Sequence, residues 1–438
     1  MQKIAITNGR VCDPWVCDPL QGDPSQRWGK EGTLLIEGDR IGSLLPPRAK
    51  VPTGYKIYDA KGCIVSPGFI DLHTHLRDPG FEYREDIQTG SRAAAAGGFT
   101  TIVCMANTQP VNDNKMVTQY ILQKAKEVGV IEILPVGAVT KGLQGKEMAE
   151  IGGMQKAGIV ALSDDGMPVM NGNLMRRAME YAKGFGLFVI THAEDHTLSG
   201  GSMNEGSCSC RMGIRGTPSI AEEAMIYRDV GLAELTQSHL HVAHVSTAKG
   251  LEIIRNAKKR GVHVTCEVTP HHLFLTEEAC ENYNTYAKVN PPLRTKEDNQ
   301  ALLKGLQDGT VDAIATDHAP HTSFEKERIP FEEAHFGLIG METALPILLH
   351  FVHKKEISLE RMVALLTEGP ARVLGRSLGT LKKGSLANIT LFDPKLPVTL
   401  GVGGYVSKSS NTPFTGLKLK GAVRATFYRG EKVFENSL

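Results

Sequence analysis

The chain has 438 residues, and its 49 lysines and arginines nearly balance its 48 aspartates and glutamates. This balance excludes the broad basic surface that nucleic-acid binding needs, so we expect no nucleic-acid partner. At this length we expect two domains, or one large barrel with an appended domain.

Neither a membrane anchor nor a secretion signal is visible in the sequence. No stretch reaches the roughly 18 apolar residues of a membrane-spanning helix, and MQKIAITNGRV lacks a signal peptide's long apolar region. We therefore expect a cytoplasmic protein without a membrane partner. The eight cysteines are scattered, which predicts reduced thiols. Only Cys208 and Cys210 lie close together, and they lack the second pair that a metal site would need.

Strand-like segments occupy both ends of the chain. KIAITNGRV, TLLIEGDRIGSL and YKIYDAKGCIV come first, and ANITLFDP and LKGAVRATFYRGEKVFE come last. We predict that residues 1–64 and 381–438 together form one small β-sandwich domain. Within it, Val11–Gly32 contains Trp15 and Trp28 and is predicted to be an exposed loop or a subunit contact.

Between these ends, at residues 65–380, apolar segments of strand length alternate with helix-like segments. The candidate strands are GFIDLHTH, FTTIVCMAN, EILPVGAVT, GIVALSDD, LFVITHAE, LHVAHVS, HVTCEVTP and DAIATDHAP. The helix-like segments include REDIQTGSRAAAAGG, NKMVTQYILQKAKEVG, LMRRAMEYAKGFG and TAKGLEIIRNAKKRG. Alternation of this kind predicts an α/β fold, a (β/α)8 TIM-type barrel with the small β-sandwich domain appended.

Polar residues end five of these strands, where barrel enzymes place their chemistry. They are His73, His75, Asp164, Asp165, His192, His244 and Asp317. Residues i and i+2 of a strand face the same side, so His73 and His75 can point together into the barrel mouth. Imidazole and carboxylate groups are the ligands of a catalytic zinc or a similar ion. A single histidine at a strand end is more often structural, but five strand ends in agreement favour a metal site.

Strand periodicity also sorts the remaining histidines. His241 precedes His244 by three residues, so it is predicted to face the helices and not the barrel mouth. His318 is out of phase with Asp317 in the same way. His271 and His272 are candidates for groups that support the site, although no pattern decides their role.

An ordered series of motifs runs along the chain, namely DLHTHLRDPG, MANTQP, LSDDG, THAED, HVAHVS, EVTPHH, NPPLR and ATDHAPH. This series resembles the type I bacterial dihydroorotases of the amidohydrolase superfamily. The resemblance spans about residues 60 to 380 and extends to NTPFTG near the C-terminus. It implies a binuclear metal barrel that interconverts N-carbamoyl-L-aspartate and L-dihydroorotate in pyrimidine synthesis.

The same resemblance implies roles for individual residues. The implied ligands of two zinc ions per subunit are His73, His75, Asp165, His192, His244 and Asp317. Asp165 is the implied bridge, which would leave the second ion weakly held, and Asp317 is the implied catalytic proton shuttle. The implied substrate contacts are His75, Arg77, Asn107, Asn290, His321 and the backbone near Phe336 and Gly337.

The positive charge of Arg77 suits a substrate that carries a carboxylate. A guanidinium can hold the carboxylate of dihydroorotate through two hydrogen bonds. Because Arg77 follows His75 by two residues, we expect it to continue the same-face alternation into the barrel mouth. The charged segment Thr322–Gly337, after the last barrel strand, is long enough to be a lid over that mouth.

Two alternatives remain open at this point. A hydantoinase or allantoinase usually bridges its metals with a carbamylated lysine, but LSDDG has no lysine and Lys141 lies on a different strand. A neutral hydantoin ring would also leave Arg77 without a partner. The second alternative is an inactive barrel that serves as a structural partner of aspartate transcarbamoylase. Such a barrel is expected to lack metal-binding histidines, and this chain has all of them. Association with that enzyme, or a homodimer, is compatible with activity.

Overall fold

The computed structural model describes residues 2–14 and 31–436, which contain seventeen strands and thirteen α-helices. The strands are β1 Lys3–Val11, β2 Glu31–Glu37, β3 Arg40–Leu45, β4 Lys56–Asp59, β5 Ile64–Pro67, β6 Phe69–Thr74, β7 Phe99–Cys104, β8 Glu132–Pro135, β9 Val189–Thr191, β10 Met203–Asn204, β11 Gly216–Thr217, β12 Leu240–Val242, β13 Val264–Val268, β14 Ala313–Ile314, β15 Ile389–Thr399, β16 Lys418–Tyr428 and β17 Glu431–Glu435. The segment Val11–Gly32, with both tryptophans, lies for the most part outside the described residues, so its predicted role stays a prediction.

The helices lie between residues 87 and 373. They are α1 Ile87–Ala96, α2 Lys115–Val128, α3 Ile151–Ala157, α4 Gly172–Gly184, α5 Ser207–Met212, α6 Ile220–Thr236, α7 Ala248–Lys259, α8 Pro270–Phe274, α9 Lys296–Asp308, α10 Ser323–Glu327, α11 Met341–His353, α12 Leu359–Leu366 and α13 Glu368–Val373. Across the described part of the chain, no helix is both long and apolar enough to span a bilayer.

Both ends of the chain contribute to one eight-stranded sheet. Its order is β17-β16-β15-β5-β1-β2-β3, and β4 pairs with β1. Strand β5 joins the two ends, because it is parallel to β1 and antiparallel to β15. The core of this β-sandwich domain takes apolar side chains from both ends, including Ile6, Leu34, Ile36, Ile389 and Phe427. The exact domain boundaries stay a prediction, and β5 continues past residue 64 to Pro67.

The predicted barrel forms from parallel strands in two groups. Strands β6, β7 and β8 are one group, and β9, β12, β13 and β14 are the other. Thr74 pairs with His318 and joins the groups on one side. Leu162 joins them on the other side, because it pairs with Gly137 and with Val189. All eight predicted strand segments therefore take their places in the ring.

The fourth barrel segment, GIVALSDD, differs from its prediction as a strand. No regular strand forms there, and Leu162 alone makes bridge pairs with its neighbours. Pairing stops because the Asp164 carboxylate accepts the backbone N–H groups of Val139 at 2.7 Å and Thr140 at 3.0 Å. A side chain thus binds the donors that a continuing strand would have used.

The four predicted helices form as α1, α2, α4 and α7. Each begins after a residue whose side chain accepts a backbone N–H from the first turn, and these residues are Asp86, Asn114, Asn171 and Thr247. The glycine- and serine-rich segment after β9 contains helix α5. On α5, Cys208 is buried and Cys210 is exposed, so the two thiols do not face one metal site.

Candidate metal centre and substrate cavity

A cavity of about 260 Å³ opens at the C-terminal ends of the barrel strands. Apart from His73, every residue predicted for the site lines this cavity: His75, Arg77, Asn107, Asp165, His192, His244, Asn290, Asp317, His321, Phe336 and Gly337. His73 is fully buried, and its ring lies 5.3 Å from that of His75. The structure therefore brings all the predicted site residues together.

Two histidines, one on β6 and one directly after it, lie near one carboxylate. The Nε2 atom of His75 lies 3.1 Å from Oδ1 of Asp317, and that of His73 lies 3.6 Å from the same oxygen. Burial raises the pKa of Asp317, but the imidazoles of His75 and His73 outweigh burial and hold that pKa well below its ordinary value. Asp317 is therefore an ionised acceptor.

Asp165 lies among four imidazoles. Its Oδ1 atom is 3.3 Å from Nε2 of His73, 3.6 Å from Nε2 of His244 and 3.7 Å from Nδ1 of His192. Its Oδ2 atom is 3.5 Å from Nε2 of His75. Burial raises the pKa of Asp165, yet the surrounding imidazoles bring it well below the ordinary value. Asp164, by contrast, turns to the end of β8, so the two adjacent carboxylates have different surroundings.

These side chains fit a divalent metal. Among the described residues, two groups bring their ligand atoms close enough to hold an ion, namely His73, His75 and Asp317, and His73, Asp165 and His244. Nε2 of His73 and Oδ1 of Asp165 are buried without a hydrogen-bond partner. Buried polar atoms normally have partners, so these two atoms fit a coordinated ion. Nitrogen and oxygen donors of this kind suit zinc and similar ions.

Arg77 is buried at the edge of the cavity, 8 % exposed. Strand β6 ends at Thr74 and Arg77 has a φ of 61°, so the expectation that it continues the strand alternation is wrong. A left-handed turn and two contacts hold the Arg77 side chain at the cavity instead. Its Nε atom donates to the Pro320 carbonyl at 3.2 Å, and its Nη2 atom lies 3.2 Å from Nε2 of His321. Burial lowers the pKa of Arg77 to about 10, so it is cationic at neutral pH.

The other predicted substrate contacts already have partners in the protein. Oδ1 of Asn107 lies 2.9 Å from Nδ1 of His75, and Nδ2 of Asn290 donates to Glu194 at 2.9 Å. The N–H of Gly337 donates to the Lys288 carbonyl at 2.9 Å, so Gly337 shapes the cavity without offering that donor. Nε2 of His321 lies 2.9 Å from the Phe336 carbonyl oxygen.

Sequence reasoning missed several residues of the site. Arg84 and His335 also line the cavity, and the His335 ring stacks on that of His321, with centroids 5.1 Å apart.

Glu267 is a further residue that sequence reasoning missed. Burial raises the pKa of Glu267, but its bonds to His241 and His73 bring that pKa down to about 2. Glu267 lies in EVTPHH, and its position in that motif was the available signal.

The prediction that His241 faces the helices is wrong, because its side chain faces the barrel interior. Its Nε2 atom lies 3.1 Å from Oε2 of Glu267, and its Nδ1 atom lies 2.8 Å from Oγ1 of Thr265. Strand β12 ends at Val242, and His244 has a φ of 33°, so the backbone turns before His244. Regular alternation therefore does not relate the two histidines.

Lys141 is far from being a metal bridge. Its side chain is 51 % exposed, and Nζ lies 3.2 Å from Oε2 of Glu147 on the surface. It is absent from the residues that line the cavity. The side chain that lies among the imidazoles of this site is therefore the carboxylate of Asp165 and not a lysine.

Solved structures with the same architecture are cyclic amidohydrolases. The L-hydantoinase (dihydropyrimidinase) of Arthrobacter aurescens matches with a TM-score of 0.86 and 27 % identity, over 99 % of this chain and 96 % of that one. The dihydropyrimidinase of Brevibacillus agri NCHU1002 matches with a TM-score of 0.83 and 25 % identity, over 99 % and 95 %. The fold and the site thus define a metal-dependent hydrolase of the amidohydrolase class, which acts on cyclic amides.

Sequence relatives are much closer. Residues 62–250 match the model of the family described as dihydro-orotase-like. A dihydroorotase of Geobacter metallireducens is 51 % identical over 99 % of this chain and 100 % of its own length. One from Geobacter sulfurreducens is 52 % identical over 98 % and 99 %. The chain belongs to the dihydroorotase family.

Proposed function

We propose that this protein is a dihydroorotase, which interconverts N-carbamoyl-L-aspartate and L-dihydroorotate in pyrimidine synthesis. Relatives with this name share about half of its residues over the full length. The strongest structural support is Asp165, which lies among four imidazoles beneath a cavity that also contains buried Arg77. A cation beside a metal centre suits a cyclic amide with a carboxylate, and a neutral hydantoin ring would leave that cation unpaired.

The metal ligands are part of this proposal. His73, His75 and Asp317 would hold one zinc ion, and His192 and His244 would hold a second, with Asp165 as the bridge. A bound zinc ion supplies Lewis acidity, which lowers the pKa of water from about 15.7 toward 7 and polarises a carbonyl group. We expect two ions per subunit, with the second held more weakly.

Asp317 is the proposed proton shuttle. The residue lines the cavity, is 7 % exposed, and is ionised because its pKa is low. In hydrolysis it would take a proton from the attacking water and give it to the leaving amide nitrogen. In ring closure it would remove the proton from the carbamoyl nitrogen, as microscopic reversibility requires.

Arg77 is the proposed partner of the substrate carboxylate. Its Nε atom is occupied by the Pro320 carbonyl, which holds the guanidinium plane in the cavity wall. The neighbouring His321 is neutral, because burial lowers its pKa to about 3. Asp317, Asp165 and Glu325 act on Arg77 electrostatically, but none of the described carboxylates forms an ion pair with it. Asn107, Asn290 and the backbone near Phe336 would complete the substrate site.

Three finer expectations stay predictions. These are a homodimer, an association with aspartate transcarbamoylase, and a cytoplasmic location. The segment Thr322–Gly337 remains the proposed lid, and Phe336 and Gly337 at its end line the cavity.

The deciding experiment is an ultraviolet assay for loss of L-dihydroorotate. Purified enzyme, enzyme stripped with chelator, and stripped enzyme supplied with zinc are compared, with hydantoin and allantoin as alternative substrates. We expect activity to vanish on stripping, to return with zinc, and to be selective for dihydroorotate. Zinc-loaded protein that hydrolyses hydantoin faster would contradict the proposal, as would one that hydrolyses none of the three. Asp317→Asn is expected to lower kcat by about 10²–10⁴-fold.

A further inference from the structure

A chain of polar side chains lies beneath His73 inside the barrel. Glu267, on β13, is fully buried. Its Oε1 atom lies 3.1 Å from Nδ1 of His73, and its Oε2 atom lies 3.1 Å from Nε2 of His241. One carboxylate is therefore shared by His73, a histidine of the metal centre, and by His241.

The chain continues away from the cavity. Oγ1 of Thr265 lies 2.8 Å from Nδ1 of His241 and 2.8 Å from Nε2 of His239. The His239 ring stacks on Phe188 and, with 4.1 Å between centroids, on the exposed ring of His263. The network thus runs from the metal centre through the barrel interior to an exposed histidine.

Hydrogen-bond chemistry assigns the protons in this chain. A carboxylate has acceptor oxygens and no donor, so the imidazole nitrogens that face Glu267 must be the protonated ones. With that hydrogen on Nδ1, Nε2 is the nitrogen of His73 that is left to bind a metal ion in place of a proton. Nε2 is also the atom nearest Asp165 and Asp317, at 3.3 Å and 3.6 Å. The same reasoning protonates Nε2 of His241, whose Nδ1 accepts from the Thr265 hydroxyl.

We propose that Glu267 and, through it, His241 are positioning residues that fix the tautomer and ring orientation of His73 for metal binding. Neither residue lines the substrate cavity, so neither contacts the substrate directly. The proposal rests on the metal site of the proposed function. It follows a general rule, since partners of this kind typically change metal affinity by 10- to 100-fold when they are replaced.

His192 offers an internal comparison. Its Nε2 atom lies 3.0 Å from Oε2 of Glu194, which leaves Nδ1 facing His244 at 3.1 Å. His73 and His192 thus each contact a glutamate through the ring nitrogen that faces away from Asp165. Each carboxylate also contacts a second histidine, but His241 beside Glu267 is fully buried in the barrel, whereas His196, with Nε2 3.5 Å from Oε2 of Glu194, is exposed.

The test is zinc affinity, measured by competition with a chromophoric chelator. We expect Glu267→Gln to weaken zinc binding by about 10- to 100-fold, because one of the two acceptor oxygens becomes an NH₂ group, which cannot accept from the imidazole N–H that faces it. His241→Asn should weaken it in the same direction by a smaller factor. His263→Gln is the matched control and should bind zinc within twofold of the wild type. A folded Glu267→Gln protein with wild-type affinity would overturn the proposal.

Ring-nitrogen NMR of the zinc-loaded protein gives a readout that is independent of activity. We expect His73 to be the Nδ1–H tautomer in the wild type and in His263→Gln. A zinc-bound His73 that lacks a hydrogen on Nδ1 in the wild type would overturn the proposal even if Glu267→Gln failed to fold. Protein that binds zinc but leaves dihydroorotate intact would refute the proposed function and not the positioning role, so the two failures are distinguishable.

Discussion

Arg84 and Glu325 form a close ion pair at the edge of the cavity, with Nε and Nη2 of Arg84 at 2.9 Å and 2.6 Å from Oε1 of Glu325. Both side chains are nearly buried, at 11 % and 12 % exposure. The pair connects the loop after β6 to helix α10 at the beginning of Thr322–Gly337. It therefore fixes one end of the segment that also supplies Phe336 to the cavity wall.

Breaking this pair should weaken substrate binding. We expect Arg84→Gln and Glu325→Gln each to raise KM about tenfold, equivalent to about 1.4 kcal/mol, and the double variant to resemble either single one. Arg176→Gln, at an exposed pair with Glu180, is the matched control and should leave KM unchanged. A lower KM in Glu325→Gln would show instead that Arg84 acts on the substrate directly.

Arg77 should be sensitive even to a conservative change. Arg77→Lys keeps the charge but loses the planar fork and the bond to the Pro320 carbonyl. Loss of a charge-assisted hydrogen bond costs about 1.5–3 kcal/mol, so we expect KM for dihydroorotate to rise about 10- to 100-fold. Zinc content should not change. An unchanged KM would contradict Arg77 as the carboxylate partner.

The adjacent acids Asp164 and Asp165 should give opposite phenotypes. Asp165→Asn is expected to lose zinc and activity, because the carboxylate lies among the imidazoles. Asp164→Asn is expected to keep its zinc and to lose about 1–3 kcal/mol of stability, because it loses part of its bonding to Val139 and Thr140. Metal analysis and chemical denaturation check both outcomes. Zinc loss from Asp164→Asn alone would reverse the assignment.

Lys326 should make stability depend on pH. It is fully buried, and Nζ donates to the carbonyls of His335 at 2.7 Å, Gly337 at 2.9 Å and Lys288 at 3.3 Å. Burial, with the nearby Lys288 ammonium, lowers the pKa of Lys326 from 10.5 to about 7. Between these pH values the unfolded chain binds the extra proton, so the free energy of unfolding should rise with pH, by up to about 1.4 kcal/mol per pH unit.

Comparison with Lys326→Met isolates this effect. The variant should be less stable than the wild type, because three carbonyls lose their donor, and the difference should widen from pH 7 to pH 9. Lys183→Met, which removes an exposed lysine bonded to the Thr236 carbonyl, is the control and should show no such trend. A difference that stays constant with pH would mean that Lys326 keeps its proton throughout this range.

Much of this architecture follows from local sequence. Apolar segments that end in polar residues located all eight barrel segments, and the i, i+2 rule correctly predicted that His73 and His75 lie together, although the pairing of β6 with β7 shifts register between Asp71 and Thr74. Where the backbone leaves regular geometry the rule failed. His244, at a φ of 33°, lies beyond the end of β12, so its spacing from His241 did not predict which way His241 faces, and Arg77, at 61°, reaches the cavity by a turn.

Local sequence patterns could not predict which residues from distant parts of the chain contact each other. Arg84 and Glu325 are 241 residues apart, and neither has a spacing that connects it to the other. The same is true of Glu267 and His73, at 194 residues. Such pairs are set by the ring of strands, and that ring exists only when the barrel has closed.

Strand β5 gives the molecule an order of assembly. Its antiparallel neighbour, β15, lies more than 300 residues further along the chain, and β6, which ends at the metal centre, begins two residues after β5 ends. During synthesis on the ribosome, the N-terminal strands must therefore wait for nearly the whole polypeptide before this edge is covered. Contacts of such long range slow folding, and an unpaired edge in the meantime invites aggregation. The newly made chain is thus most vulnerable just before its last fifty residues emerge.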